Sequence, residues 1–203
     1  MKTVLYEKDG LIGRVTLNRP EKLNAINDDM PRDLEEAITL ANDDSDISVI
    51  ILSGNGKAFC SGYDLSEYAQ GNESNKFTQK MPWDPIKDYQ TMWNDTQHFM
   101  SIWKSLKPVI CKVHGFAIAG GSDIALCSDM IIMADNAEIG YMPSRVWGTP
   151  TTAMWVHRIG PEKAKKMLFT GDKINGKEAE KIGLVLESVS PEKLDERVES
   201  LAN

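Results

Sequence analysis

The stretch Val113-His114-Gly115-Phe116-Ala117-Ile118-Ala119-Gly120-Gly121-Ser122-Asp123 limits what this chain can fold into more than any other. The apolar run Pro108 to Val113 before it reads as a buried strand, and Ile124-Ala125-Leu126 after it reads as a helix. A strand that breaks at two glycines and restarts as a helix presents unpaired backbone N–H groups at the helix start, where the dipole also favours negative charge. Such a turn can hold an oxyanion. Gly120-Gly121 also fits a plainer role, letting the helix pack closely on the sheet, so a second segment is needed to choose between the two.

Around this turn, short strands alternate with helical patterns. Lys8-Asp9-Gly10 between Val4-Leu5-Tyr6 and Ile12 to Leu17 signals a hairpin. Asn18 to Asn27 is a loop leading to a helix of about Met30 to Ala41, with Leu34, Ala37, Ile38 and Ala41 on one face. Val49 to Leu52 reads as a strand covered on both faces, as does Met130 to Ala134. Residues 66–82 read as a long polar surface loop. A helix from about Tyr89 to Ser105 carries Met92, Trp93, Phe99, Met100 and Trp103 as core. Asn136 to Gly140 reads as a turn and strand, and Tyr141 to Pro150 as a shaped loop. Thr151 to Ile159, Glu162 to Phe169 and Gly176 to Ile182 follow as helices, then a strand Leu184-Val185-Leu186 and a helix from Pro191. This order implies an α/β core with a largely parallel sheet.

Composition excludes several function classes. With 203 residues the chain has room for one domain with a substantial core. A net charge of −7 without a Lys/Arg run argues against a nucleic-acid surface. No apolar stretch approaches the roughly 18 residues needed to span a bilayer, and the N-terminus lacks a secretory h-region, so a cytoplasmic protein is expected. Cys60, Cys111 and Cys127 are odd in number and sit in apolar segments, as reduced buried thiols do; His98, His114 and His157 show no metal-ligand spacing, and no metal is expected. The glycines of Gly54-Asn55-Gly56 follow a strand, yet Phe59 stands where a dinucleotide fingerprint needs its third glycine. The next segment, Ala58-Phe59-Cys60-Ser61-Gly62-Tyr63-Asp64-Leu65, is the second glycine turn. Small residues there allow close backbone approach by a ligand, and Asp64 can brace the turn.

With both turns placed, the sequence resembles the crotonase superfamily, the enoyl-CoA hydratase/isomerase family. The resemblance rests on Asn18-Arg19-Pro20 through Asn24-Ala25-Ile26, Ala58 to Leu65, His114-Gly115 through Asp123, and Leu168-Phe169-Thr170-Gly171 before Ala179 and Ile182 to Val185. It implies a crotonase-like spiral of ββα units, assembled as a homotrimer or hexamer. It implies an acyl-CoA substrate whose thioester carbonyl is gripped by the backbone amides of Tyr63 and Gly120, with no cofactor beyond the coenzyme A of the substrate. CoA would lie along Lys22, Leu23 and Ala25 and along Ser61, Gly62, Tyr63, Asp64 and Leu65, reaching Gly120.

Family hydratases use two glutamates. Asp123 matches the first and Ser144 the second, which is a serious departure because an ordinary serine hydroxyl is a poor general acid or base. The expected reaction is hydration of an enoyl-CoA, or a related lyase step, with Asp123 handling the proton and Ser144 placing a water. Isomerisation, decarboxylation or thioester hydrolysis at the same site, or a non-catalytic CoA-binding scaffold, are the alternatives. Trp147 and Met142 would line the acyl pocket, Lys22 would meet a phosphate or solvent, and Arg145 would recognise a carboxylated acyl group or, the favoured reading, pair with Glu138. Residues 1–190 form the expected acyl-CoA-binding core. Residues 191–203 read as the start of a C-terminal helical region that breaks off early, in a shortened member or a fragment, leaving apolar surface exposed.

Overall fold

The computed structural model describes residues 1–68, 79, 81–145, 148 and 150–203. β1 (Val4–Asp9) and β2 (Ile12–Leu17) form the antiparallel hairpin that Asp9-Gly10 predicts, with Asp9 opposite Ile12. Parallel strands then add to it: β3 (Val49–Gly54) on β2 and β4 (Val109–Val113) on β3. β6 (Met130–Ala134) joins β4, and β9 (Glu187–Val189) joins β6, giving the six-stranded order β1-β2-β3-β4-β6-β9. A smaller sheet of β5 (Phe116–Ile118), β7 (Glu138–Gly140) and β8 (Lys173–Asn175) lies beside it.

The apolar runs of β3, β4 and β6 are buried because both faces of the large sheet are covered. Helix α1 (Met30–Asp43) brings Ala41 against the Gly13 face, while α7 (Leu194–Ala202) covers the opposite face, where Arg14 bonds Glu199. α1 also packs on α3 (Pro85–Trp103), which follows a single turn of helix, α2 (Leu65–Tyr68).

β2, β3, β4 and β6 each feed a turn, then a short segment of a second layer, then a helix. β4 turns at His114-Gly115 into β5 and then α4 (Gly120–Leu126). β6 turns into β7, followed by a 3-10 turn at Met142–Arg145 and then α5 (Met154–Thr170). After β3, Cys60 bridges to Ala117 and Tyr63 bridges to Ile26, so segments 24–26, 58–63 and 116–118 run side by side. This is the spiral of ββα units, and it stacks the turns that carry the glycines.

Several elements differ from the sequence reading. β5 and β8 are too short to show period-two patterning, and the sequence reading missed them as strands. The final strand is not Leu184 to Leu186 but Glu187–Val189. Leu184 and Val185 are buried as packing after α6 (Gly176–Ile182), ahead of the strand. The break expected between the two helices is present as a kink at Gly160 within α5, but α5 begins at Met154, so Thr151 and Thr152 stand before it in bends. In α3 the buried stripe is Asp95, Thr96, Phe99 and Ile102, whereas Trp93 is 51% and Trp103 39% exposed. Trp103 packs edge-on against His157 instead of entering the core.

Candidate functional site

The loop before α1 is fastened to the second glycine turn by buried polar groups. Leu23 and Asn24 both have positive φ, an unfavourable conformation that the surroundings enforce. The fully buried Asn24 accepts from the Arg19 amide through Oδ1 (2.8 Å) and donates Nδ2 to the carbonyls of Asn55 and Ala58 (2.8 Å each). The Leu23 carbonyl accepts from the Ser61 amide at 3.1 Å. Arg19 reaches across to Asp64 (3.1 Å) and Glu67 (3.2 Å), and Asp64 in turn accepts from the Ser66 amide. Burial acts to raise the Asp64 pKa, but Ser66 and Arg19 outweigh it and hold the carboxyl below its usual range. Lys22, Leu23 and Ala25 thereby stand on one loop against Ser61 to Leu65. The Lys22 ammonium lies 3.3 Å from the Ser66 hydroxyl.

The two glycine turns meet. A Cβ on Gly62 would fall 2.9 Å from Ala119 Cβ and 3.7 Å from the Gly120 nitrogen; one on Gly120 would fall 2.8 Å from Ile26 Cδ1 and 3.1 Å from the Tyr63 ring. No side chain fits at either position without moving a neighbour. The direction of each amide follows from the planarity of its peptide, whose N–H points opposite to the preceding C=O. The Gly62 carbonyl accepts from Ile26 N at 2.8 Å, so the Tyr63 N–H is directed away from that segment. The Ala119 carbonyl accepts from Ser122 N (2.9 Å) and Asp123 N (3.2 Å), so the Gly120 N–H points out of the start of α4. Ala119 itself holds φ 53, ψ −124, a strained conformation for a residue with a side chain, and is tied by its own N–H to Gly140 O at 2.9 Å. With seven residues, α4 adds little dipole at its start.

Asp123 lies one helical turn beyond Gly120 and is 1% exposed. Its Oδ1 accepts from the Thr152 hydroxyl at 3.0 Å, and the Thr151 amide also donates to the carboxyl. Burial outweighs both and pushes its pKa up to about 7. Tyr63 and Tyr141 are close enough for the Asp123 charge to raise their own pKa values further. The Tyr63 phenol donates to Asp95 Oδ2 at 3.1 Å; burial first, and Asp95 second, place it well above the usual tyrosine range.

Tyr63, Gly120 and Asp123 are thus neighbours. Ser144 occupies the 3-10 turn, where its hydroxyl donates to Tyr141 O at 2.9 Å and lies 3.1 Å from where a Gly171 Cβ would be. Arg145 pairs with Asp172 (2.8 Å) and not with Glu138, which pairs with Lys173 (2.7 Å), because the antiparallel β7–β8 register puts Lys173 opposite Gly140, beside Glu138. Met142 is half-buried against the core, and Trp147 lies outside the described residues. Among the described residues, no cluster of three His, Cys, Asp or Glu could hold a metal ion. Sequence reasoning missed Thr151, Thr152 and Asp95: the first two were absorbed into a helix that starts later, and an aspartate inside an amphipathic pattern carries no signal of burial.

A spiral of ββα units whose glycine turns meet beside a buried carboxyl defines the crotonase-like class of α/β proteins. The chain belongs to the enoyl-CoA hydratase/isomerase family, whose sequence model matches residues 7–203. It is similar to a crotonyl-CoA hydratase of Syntrophomonas wolfei, 33% identical over 205 residues that cover 99% of this chain and 74% of that one. A short-chain-enoyl-CoA hydratase of Clostridium acetobutylicum is also 33% identical, covering 100% of this chain and 75% of its own. The crystal structure of an enoyl-CoA hydratase from Mycobacterium smegmatis superposes with a TM-score of 0.90 at 42% identity, covering 99% of this chain and 70% of that one.

Proposed function

We propose that the protein adds water to the double bond of an enoyl-CoA thioester, with the amides of Tyr63 and Gly120 holding the thioester oxygen and Asp123 carrying the proton. The observation that carries this reading is a sealed carboxyl with its pKa pushed up to about 7, one helical turn from the Gly120 amide. A general base works best when its pKa lies near the working pH. Water oxygen bonds to C3 as Asp123 takes one of its protons, and the π electrons move onto the thioester oxygen as an enolate. The enolate then collapses, C2 takes the proton back from Asp123, and the net change is addition of one water. Loss of one oxyanion donor in such a site lowers the rate by about 10²–10³. CoA lies along Lys22, Leu23 and Ala25 and the Ser61 to Leu65 turn, with no cofactor besides it.

The test is hydration of a panel of enoyl-CoA thioesters by wild type and Asp123→Asn. We expect turnover that falls roughly 10²–10⁴-fold in the variant; unchanged turnover would sink the assignment of Asp123. A specific observation favours a second reading. The Ser144 hydroxyl is engaged with Tyr141 O, and one carboxyl suffices to move a proton between C2 and C4. Conversion of 3-enoyl-CoA to 2-enoyl-CoA faster than hydration would select isomerisation. We also propose a homotrimer or hexamer. Three cysteines, all unpaired and buried, support a cytoplasmic setting.

A further inference from the structure

We infer that Thr151 and Thr152 together supply what the serine at position 144 does not: Thr152 positions the Asp123 carboxyl, and the Thr151 hydroxyl holds the water that adds to the substrate. The inference rests on the hydration reading above and names two residues that it does not use. Among the described residues, Thr151 Oγ1 is sealed from solvent and has no hydrogen-bond partner, while the amide of the same residue donates to Asp123. A buried hydroxyl left unpaired is unfavourable by about 1–3 kcal/mol and calls for an explanation. This one stands next to the carboxyl that must take a proton from water. A hydroxyl can accept one O–H of a water whose other O–H is directed at Asp123, which leaves the oxygen lone pair for C3.

Thr152 acts through Asp123. Its hydroxyl, itself nearly buried, fixes Oδ1 at 3.0 Å, and with the Thr151 amide it sets the carboxyl's orientation. Among the described residues, the other titratable groups near Asp123 have these places. Tyr63 is bonded to Asp95 of α3, Tyr141 precedes the 3-10 turn, and Cys127 ends α4. Arg158 of α5 donates to the carbonyls of Leu126 and Ser128. Loss of the Thr152 donor therefore acts on Asp123 directly, and because that donor favours the ionised carboxyl, its removal raises the pKa.

Two activities separate the roles: hydration of crotonyl-CoA, which needs the water, and exchange of the C2 hydrogens of butyryl-CoA in D2O, which needs only the amides and Asp123. Thr151→Val is expected to lower hydration kcat by roughly 10- to 100-fold while exchange stays within about threefold, with Thr151→Ser restoring hydration. Thr152→Val is expected to move the rise of kcat/KM toward higher pH by about one unit in both activities, with Thr152→Ser close to wild type. Equal loss of both activities in Thr151→Val, or a larger loss of hydration in Ser144→Ala, would overturn the inference. So would an unshifted pH profile in Thr152→Val. Wild type that neither hydrates nor exchanges would overturn the functional reading and this one with it.

Discussion

Burying Asp123 works against stability, and that has a sign that can be measured. Its carboxyl titrates at about 7 in the folded protein, against 3.8 for an ordinary aspartate. Between these values the folded protein keeps a proton that the unfolded chain has released, so this group lowers stability as pH rises through the window. The unfavourable contribution is complete above about pH 7 and absent below about pH 4. Asp123→Asn keeps an acceptor for Thr152 and removes the charge. The variant should therefore be roughly 2–4 kcal/mol more stable than wild type at pH 8 and no more stable at pH 4, as read by urea unfolding. Wild type with equal or greater stability at pH 8 would show that the carboxyl is not held in the environment described. The same titration governs hydration: the carboxylate is the base, so kcat/KM should climb with pH through about 7 and then level off.

At the scale of elements, the contact between two turns is what sets the site. Gly62 has φ +91, and a Cβ there would strike Ala119, the strained residue just ahead of Gly120. Gly62→Ala therefore forces the turns apart without removing any chemical group. We expect about 1–3 kcal/mol of destabilisation and a fall in kcat of at least tenfold. Gly10→Ala is the contrast: φ is +59 but nothing lies within 4 Å, so it should lose about 1 kcal/mol and leave kcat alone. If both variants kept wild-type kcat, the Gly62–Ala119 contact would not control the chemistry. How much of this was legible in sequence depended on element length. Met130 to Ala134 and Gly176 to Ile182 match the observed β6 and α6, the strand because a continuous apolar run leaves a clear pattern. The three-residue β5 and β8 carry no period and were invisible. Asp123 was singled out only through the family resemblance, whereas both glycine turns could be read from residue type and spacing. Thr151 and Thr152 could not, because their role depends on a carboxyl that is nearly thirty residues earlier in the chain and reaches them only through the packing of α4 on α5.

At the scale of the whole molecule, the surface is not uniformly that of an isolated chain. Met81, Trp83, Ile86, Tyr89 and Trp93 are each more than half exposed, with Tyr89 and Trp93 stacked at 6.1 Å, and Leu106 and Phe169 are also largely in solvent. Single exposed apolar residues are ordinary, but a run of aromatic and aliphatic side chains just before α3 and along its first half is the kind of patch that marks an interaction surface. A net charge of −7 spread over each copy opposes association through repulsion that salt screens, whereas burial of apolar area is not weakened by salt. Association of this chain should therefore strengthen as ionic strength rises. Sedimentation equilibrium at micromolar protein is expected to give a mass near three or six times 22.6 kDa, with more of the larger species at 0.5 M than at 0.05 M salt. A single species of one chain's mass at both salt concentrations would remove the trimer from the proposal while leaving the arrangement of Tyr63, Gly120 and Asp123, which lies within one copy, as it stands.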